Sequence, residues 1–432
     1  MRWFLFCVIC LPLKPLYALT IQEALALAFI EDSEYKQARY KSEQADADEA
    51  LARSSLLPQL SASASKSRNR LNVKKSTSDV YELGEQEFKS NEMSIKLTQS
   101  VFEYGKWALL NQKQALVRKS LAEIFQAKQA LILKTVEVYS AVIIARAEVK
   151  RVKLDQSLAR QMLEDLQNRY ELDSSIQADY LKAKAKLDLS YADTLQAENA
   201  ETAAKNELYS LIGKSAEVLQ LIDERMISID KDKSLEDWFK LVHASNSEVQ
   251  AARENYTAAL QLVKSEWSQH FPSLDIIAEY KDSDEAGGNL GGRVQSEASV
   301  MLQLTVPIFS GGGTHARVSS AEAAKNIAYE EYIRVIEKLD NETSKVWSTL
   351  QESQFRISAL NNALKSAKLV IQAFDEGVKT GRKTFAEFLQ VQNDHEKTQL
   401  DLLKMKQELV LSRLKFLKLS GQLKPDVFGM VY

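Results

Sequence analysis

The only glycine triplet in the chain lies in LTVPIFSGGGTHAR (304–317), where an apolar run and a proline lead into a helical stretch. That order has the shape of a phosphate-binding loop, whose backbone N–H groups cradle an anion at a helix N-terminus. Such a loop needs a lysine and then serine or threonine after the glycines, and Thr314, His315, Ala316 and Arg317 stand there instead. A second cluster, GGNLGG (287–292), also lacks the lysine and reads as an exposed loop. His243, His270, His315 and His395 are scattered, with no ligand spacing to carboxylates. His395, between Asp394 and Glu396, reads as part of a solvated helix face. No serine sits in a nucleophile elbow, and the carboxylates fall in mixed-charge helical runs. These residues predict no enzyme, no cofactor and no metal site.

Both cysteines, Cys7 and Cys10, lie in the opening MRWFLFCVICLPLKPLYALT. Arg2, an apolar core from Trp3 to Leu13 and a small residue at Ala18 make residues 1–18 a secretory signal. The mature chain is then expected to have no thiol, which excludes disulfides, thiolate metal sites and cysteine nucleophiles. Neither cysteine follows a lipoprotein cleavage pattern. Removing Arg2 and Lys14, two cations, takes the formal charge from −3 to −5, and nothing points to nucleic acid as a partner. Charged residues are 27% and apolar residues 45%, while glycine and proline are sparse at 14 and 6, so the chain is expected to be mostly regular and helical. No later segment is apolar over the roughly 18 residues a membrane helix needs. Contact with a bilayer would have to come through β-strands or from the surface.

What could position any functional residue is a unit that occurs twice. Residues 33–60 align without a gap on 247–274 at an offset of 214, pairing Arg39 with Arg253 and Pro58 with Pro272. Residues 95–105 lie on 302–312, and 208–214 on 416–422. The chain therefore divides into the signal (1–18), a first repeat (19–214), a linker (215–233), a second repeat (234–422) and a tail (423–432). Each repeat reads as a helix (21–56, 235–270), an alternating segment (59–66, 273–281), a polar loop (67–91, 282–297) and a second alternating segment (92–102, 298–309). A very long helix (105–171, 314–377) and a last helix (178–212, 384–420) follow.

The alternating segments predict strands with one apolar face. Val300, Leu302, Leu304, Val306 and Ile308 oppose Gln303 and Thr305; Met93, Ile95 and Leu97 oppose Ser94, Lys96 and Thr98. Leu60, Ala62 and Ala64 form a weaker stripe, as do Leu274, Ile276, Ala278 and Tyr280. Lengths of about 9–11 residues suit strands crossing an outer membrane around a wet lumen. The long helices carry heptad seams, such as Val142, Ala145, Val149, Val152 and Ile357, Leu360, Leu364, Ala367, Ile371. About 65 residues correspond to roughly 100 Å of helix. Four membrane strands leave open edges, so a closed barrel needs several chains; three copies would supply twelve strands and leave a passage.

This order, given twice, resembles the TolC family of outer-membrane efflux and type I secretion channels. The stretches LTIQEALALAFIEDSEYKQAR, VPIFSGG and FDEGVKTGRKTFAEFLQVQ carry the likeness. The resemblance implies a mainly α protomer with a small β part: a homotrimer in outer-membrane lipid with a twelve-stranded β-barrel and a periplasmic α-barrel. It implies docking to a periplasmic adaptor and an inner-membrane ABC or proton-driven transporter. Drug and polypeptide cargo stay open. A periplasmic coiled-coil scaffold or adaptor without a channel is the alternative, although an adaptor pairs one helical hairpin with a lipoyl-like β domain.

The breaks at 168–181 and 374–389 read as helix tips, with Gly377 and Gly381 for backbone freedom and Ser175 and Thr384 as caps. The resemblance makes these tips, with Arg169, Tyr170, Asp173 and Val378, the periplasmic mouth and adaptor-docking surface. It makes Lys383 and Asp179 partners in closing links and Glu387 an outer acidic ring. Gln390 stands at the second ring position, removing a charge that Asp394 partly restores. Val378 and Asp173 depart from a tyrosine and a glycine of the family. Gly105, Pro307, Gly311, Gly312 and Gly313 are expected at turns where the chain leaves a membrane strand for a long helix.

Overall fold

A computed structural model describes residues 18–75, 77, 83–171, 177–215, 218–223, 227, 233–288 and 291–428. The expected signal, apart from Ala18, lies outside them, as do Asp173 and Ser175. In chain order the elements are α1 (Ile21–Glu31), α2 (Ser33–Ser54), β1 (Gln59–Val73), β2 (Gly84–Phe102), α3 (Tyr104–Tyr170) and α4 (Gln177–Ile212). There follow α5 (Leu235–Ser245), α6 (Ser247–Trp267), β3 (Ser273–Glu285), β4 (Arg293–Thr305), α7 (Gly313–Lys379) and α8 (Phe385–Leu419). The chain is mostly helical with one small antiparallel sheet. Among the described residues no helix is long and apolar enough to cross a membrane.

The helices expected over 21–56 and 235–270 are each broken in two, at Asp32 and at Asn246. Asp32 ends α1 with an extended backbone, and its carboxylate accepts the Tyr35 N–H at 2.8 Å, so one side chain stops one helix and caps the next. Asn246 ends α5 in the same backbone region. Both preceding helices start in capping boxes, Thr20 with Glu23 and Ser234 with Asp237. The two long helices, α3 and α7, have 67 residues each.

The compact units cut across the sequence repeats. Among the described residues, one comprises those up to 37, those in 125–246 and those from 337 on; the other comprises those in 38–124 and 247–336. In the first unit α1 buries Ile21, Ala24, Leu25 and Ala28, a one-face helical spacing, in a core with Ile132, Val136, Val142, Leu208, Ile212, Val410 and Leu414. The segments expected to be linker and tail contribute too: Ile222, Ile227, Leu423 and Phe428 are buried there. Leu19 bridges to Leu219 as a parallel pair, and the Tyr139 hydroxyl lies 2.6 Å from the Leu19 carbonyl and 2.8 Å from that of Gln220. Burial pushes this phenol up to about 12. Trp238, Trp347 and Phe416 form a second cluster, with Trp238 and Phe416 edge to face at 4.6 Å.

The other unit holds the sheet, in the order β1-β2-β3-β4 with every neighbour antiparallel. The strands outrun the expected ones, so the connections are 74–83 and 286–292 rather than 67–91 and 282–297. Residues 67–73 and 84–91 are polar or mixed on both faces, which hides them from a search for alternation. Cross-strand pairs such as Ser67–Ser90 hold them in register. The strand expected over 298–309 stops at Thr305, leaving Val306 and Ile308 outside it. Pro307, two residues on, has no N–H to give a ladder.

The turn glycines also differ from expectation. Gly311 and Gly312 have φ of +61° and +80°, values that favour glycine, but Gly105 and Gly313 lie inside α3 and α7. Gly105 is needed for space: a Cβ there would come within 2.5 Å of the Ser268 hydroxyl.

Leu414, fully buried in the first unit's core, provides a test of that core. Leu414→Ala should destabilise the protein by about 2–5 kcal/mol, read as a lower unfolding temperature in detergent. Leu302→Ala, on an exposed sheet face, should show no comparable drop.

Candidate functional site: a two-faced sheet and two helix tips

The strand register sorts the sheet's side chains by chemistry. One face carries Leu60, Ala62 and Ala64 of β1, Met93, Ile95 and Leu97 of β2, Ile276, Ala278 and Tyr280 of β3, and Ala298, Val300, Leu302 and Leu304 of β4. The other carries Ser61, Ser63, Ser65 and Ser67, then Ser90, Glu92, Ser94 and Lys96, then Glu279, Lys281 and Ser283, then Glu297 and Ser299. The polar face is tied together by Ser63–Ser94 at 3.0 Å and Lys281–Glu92 at 2.8 Å.

Burial runs opposite to what a water-soluble sheet would show. Met93 is 64% exposed and Val300 79%, whereas on the polar face of the two central strands Ser90, Glu92, Ser94 and Lys281 are half-buried and Ser283 is buried; the serines of the edge strand β1 are exposed. An exposed apolar face of this breadth suits a hydrocarbon solvent, and a polar face rich in serine suits water. Among the described residues β1 and β4 leave their outer hydrogen-bonding groups without strand partners.

The helix tips belong to the other compact unit. At the first, Tyr170 ends α3 and stacks on Tyr180 of α4, with ring centroids 5.3 Å apart and planes 8° from parallel. Arg169 pairs back along its own helix to Asp165 at 3.0 Å. Asp179, in the first turn of α4, lies 3.5 Å from Lys182.

At the second tip α7 ends in a Schellman motif: Arg382 N–H donates to the Gly377 carbonyl at 2.9 Å and Gly381 N–H to that of Val378 at 3.0 Å. Gly381 takes φ of +69°, as that motif requires. Gly377 is needed for space, since a Cβ would sit 2.8 Å from Lys383 Cγ. Thr384 is the N-cap of α8 and closes a capping box with Glu387. Lys383 lies 2.9 Å from Glu387 and 4.7 Å from the centre of the Phe374 ring. One turn into α8, Gln390 donates to Asp394 at 3.1 Å. Within one chain, then, Lys383 and Asp179 are engaged by Glu387 and Lys182 rather than by each other.

A polar ladder between α3 and α8 had no signal in the sequence. Its rungs are Ser140–Gln407 at 2.9 Å, Glu148–Lys404 at 3.8 Å and Asp155–Asn393 at 2.9 Å, with Lys186 of α4 also 2.9 Å from Asp155. Each polar residue sits in a helix that reads locally as mixed-charge surface.

Glu387 ties the tip to pH. The Lys383 ammonium first, then the Thr384 N–H and hydroxyl, hold its carboxyl down from 4.5 to about 2. The folded value lies below the ordinary one, so its contribution is fully present above 4.5 and is lost as pH falls through about 2. Amide exchange over 384–390, corrected for intrinsic rates, should quicken as pH falls through that window, and Glu387→Ala should quicken it at neutral pH. Unchanged protection in both experiments would mean that the box does not hold the first turn of α8.

The comparisons with known proteins fit this geometry. The family model described as "Outer membrane efflux protein" matches residues 24–214 and 238–422. The alkaline protease secretion protein AprF of Pseudomonas aeruginosa is 23% identical over 371 residues, covering 85% of this chain and 77% of AprF. The outer membrane protein TolC of Vibrio cholerae is 23% identical over 328 residues, 73% of each chain. The crystal structure of the CmeC outer membrane channel of Campylobacter jejuni shares the fold at a TM-score of 0.80 and 16% identity, over 93% of this chain and 85% of CmeC.

Proposed function

The chain belongs to the outer membrane efflux protein family, and on that premise we propose that three copies join their sheets edge to edge into one twelve-stranded barrel. The protein is an outer-membrane channel component of the efflux and secretion type, with a large periplasmic portion. Its family and structural neighbours are channel proteins rather than enzymes. The observation that supports the trimer is the sheet itself, exposed on its apolar face and, among the described residues, without strand partners at both edges. Lipid covers such a face, but it supplies no hydrogen bonds to an edge, so another copy must. Eight strands from two copies would fill with side chains, whereas twelve leave a lumen lined by the serine-rich polar face.

Both halves of the chain descend, on this reading, from one duplicated unit. The capping boxes at Thr20 and Ser234 stand at the same offset as the aligned segments, and the 67-residue helix occurs in each half.

The channel is passive and gated at its periplasmic helix tips. Asp179, Lys383 and Glu387 are exposed and ion-paired within the chain, so they can exchange partners with a neighbouring copy at little cost. A periplasmic adaptor engages the tips, and an inner-membrane transporter supplies the driving force. For cargo we favour a polypeptide, because AprF is by name a protease secretion protein. A small-molecule efflux role is the second reading, carried by the family's description as efflux proteins.

Detergent-extracted protein should run as a trimer on native gels and conduct ions in planar bilayers; a monomer without conductance would overturn this function. Deleting the protein should remove specific polypeptides from the culture supernatant. If it instead only raises drug sensitivity, the efflux reading replaces the secretion reading.

A further inference from the structure

The hairpin β1–β2 stands beyond the rest of the sheet. β3 pairs with β2 only as far as Ser90–Glu285, whereas β1 remains paired with β2 through Val73–Gly84. Residues 68–73 and 84–89 therefore form a two-stranded ribbon, and along it the two faces exchange character. On the side that continues the polar face, Ser61 through Ser67 and Asn69 are followed by Leu71 and Val73, and Ser94, Glu92 and Ser90 are followed by Phe88. On the side that continues the apolar face, Ala62 and Ala64 are followed beyond Lys66 by Arg68 and Arg70, and Ile95 and Met93 beyond Asn91 by Lys89, Glu87 and Glu85. Ion pairs Arg68–Glu87 at 2.6 Å and Arg70–Glu85 at 2.7 Å cross between the strands on this outer side.

Charge outside and apolar residues inside is the reverse of the membrane zone below. The outer side suits water or lipid headgroups, but the inner stripe needs a cover, because a lone two-stranded ribbon is marginal in water. Part of the cover is present. Phe88 packs over Gly287 and Gly288: a Cβ at Gly287 would come within 2.8 Å of Phe88 Cβ, and one at Gly288 within 3.7 Å of the ring. Ala286 N–H donates to the Lys89 carbonyl at 2.8 Å, which draws the β3–β4 connection onto the ribbon. Leu71 stays 36% exposed.

We propose that the ribbons of three copies lean over the outer end of the lumen and that Phe88, Leu71 and Val73 of each form an apolar collar there. This rests on the trimeric barrel with its polar face inward; the stripe that covers Leu71 and Val73 is the same stripe from the other two copies. The collar passes extended cargo and excludes bulky solutes from outside. A narrow apolar ring resists wetting, whereas the serine-rich wall below it holds water.

The test uses the expected absence of cysteine from the mature chain. Ser94→Cys places one thiol on the polar face below the collar, and intact cells are treated with a small and with a bulky membrane-impermeant thiol reagent. The small reagent should label Ser94→Cys and the bulky one should not. Adding Phe88→Ser, or Leu71→Ser with Val73→Ser if the first variant fails to assemble, should raise bulky labelling severalfold, with trimer content checked on native gels. Bulky labelling that is already complete in the Ser94→Cys parent, or that stays absent in both assembled collar variants, overturns the collar. No labelling by the small reagent in any variant would instead show that the polar face is not a wet lumen, and the barrel reading fails with it.

Discussion

The unpaired backbone at the sheet's two edges constrains everything else about this protein. Among the described residues β1 and β4 each present a row of N–H and C=O groups without strand partners, next to a face of exposed aliphatic side chains. Water can satisfy the edges but not the face, and lipid can satisfy the face but not the edges. Closure of the sheet by further copies, as proposed above, would satisfy both at once.

The helical unit solves a different problem with ordinary means. Its core is a set of aliphatic residues from α1, α3, α4 and α8, completed by the segments after α4 and after α8. Toward the tips the apolar core thins out, and polar contacts take over: the α3–α8 ladder, the Tyr170–Tyr180 stack and the Lys383–Glu387 pair. The Lys383–Glu387 pair is exposed, and exposed ion pairs contribute little net stability each, so it can be remade without unfolding the helices. The gating proposed above suits tips built from such pairs rather than from close-packed aliphatics, which resist graded rearrangement.

Legibility in the sequence followed the range of each interaction. Thr384 and Gly381 could be read because caps and left-handed turns are decided within a few residues. The apolar strand face was readable from its period of two, up to the point where Lys66 and Asn91 end the alternation. Beyond that point the strands continue as a ribbon of mixed residues, held by cross-strand pairs that no single strand reveals. Gly105 was misread because a close approach and a positive φ leave the same letter in the sequence; only the nearby Ser268 hydroxyl tells them apart. Asp155 and Asn393 are 238 residues apart and sit in unremarkable mixed-charge helices.

By itself the sequence determined the long helices, the two-faced strands and the family likeness, because these rest on periodicity, local backbone preference and motif order. Tertiary structure decided where the strands end, how the compact units divide the chain, and which side chains meet at the tips. Those outcomes depend on contacts between segments far apart in the chain, whose energies do not appear in any local window of residues.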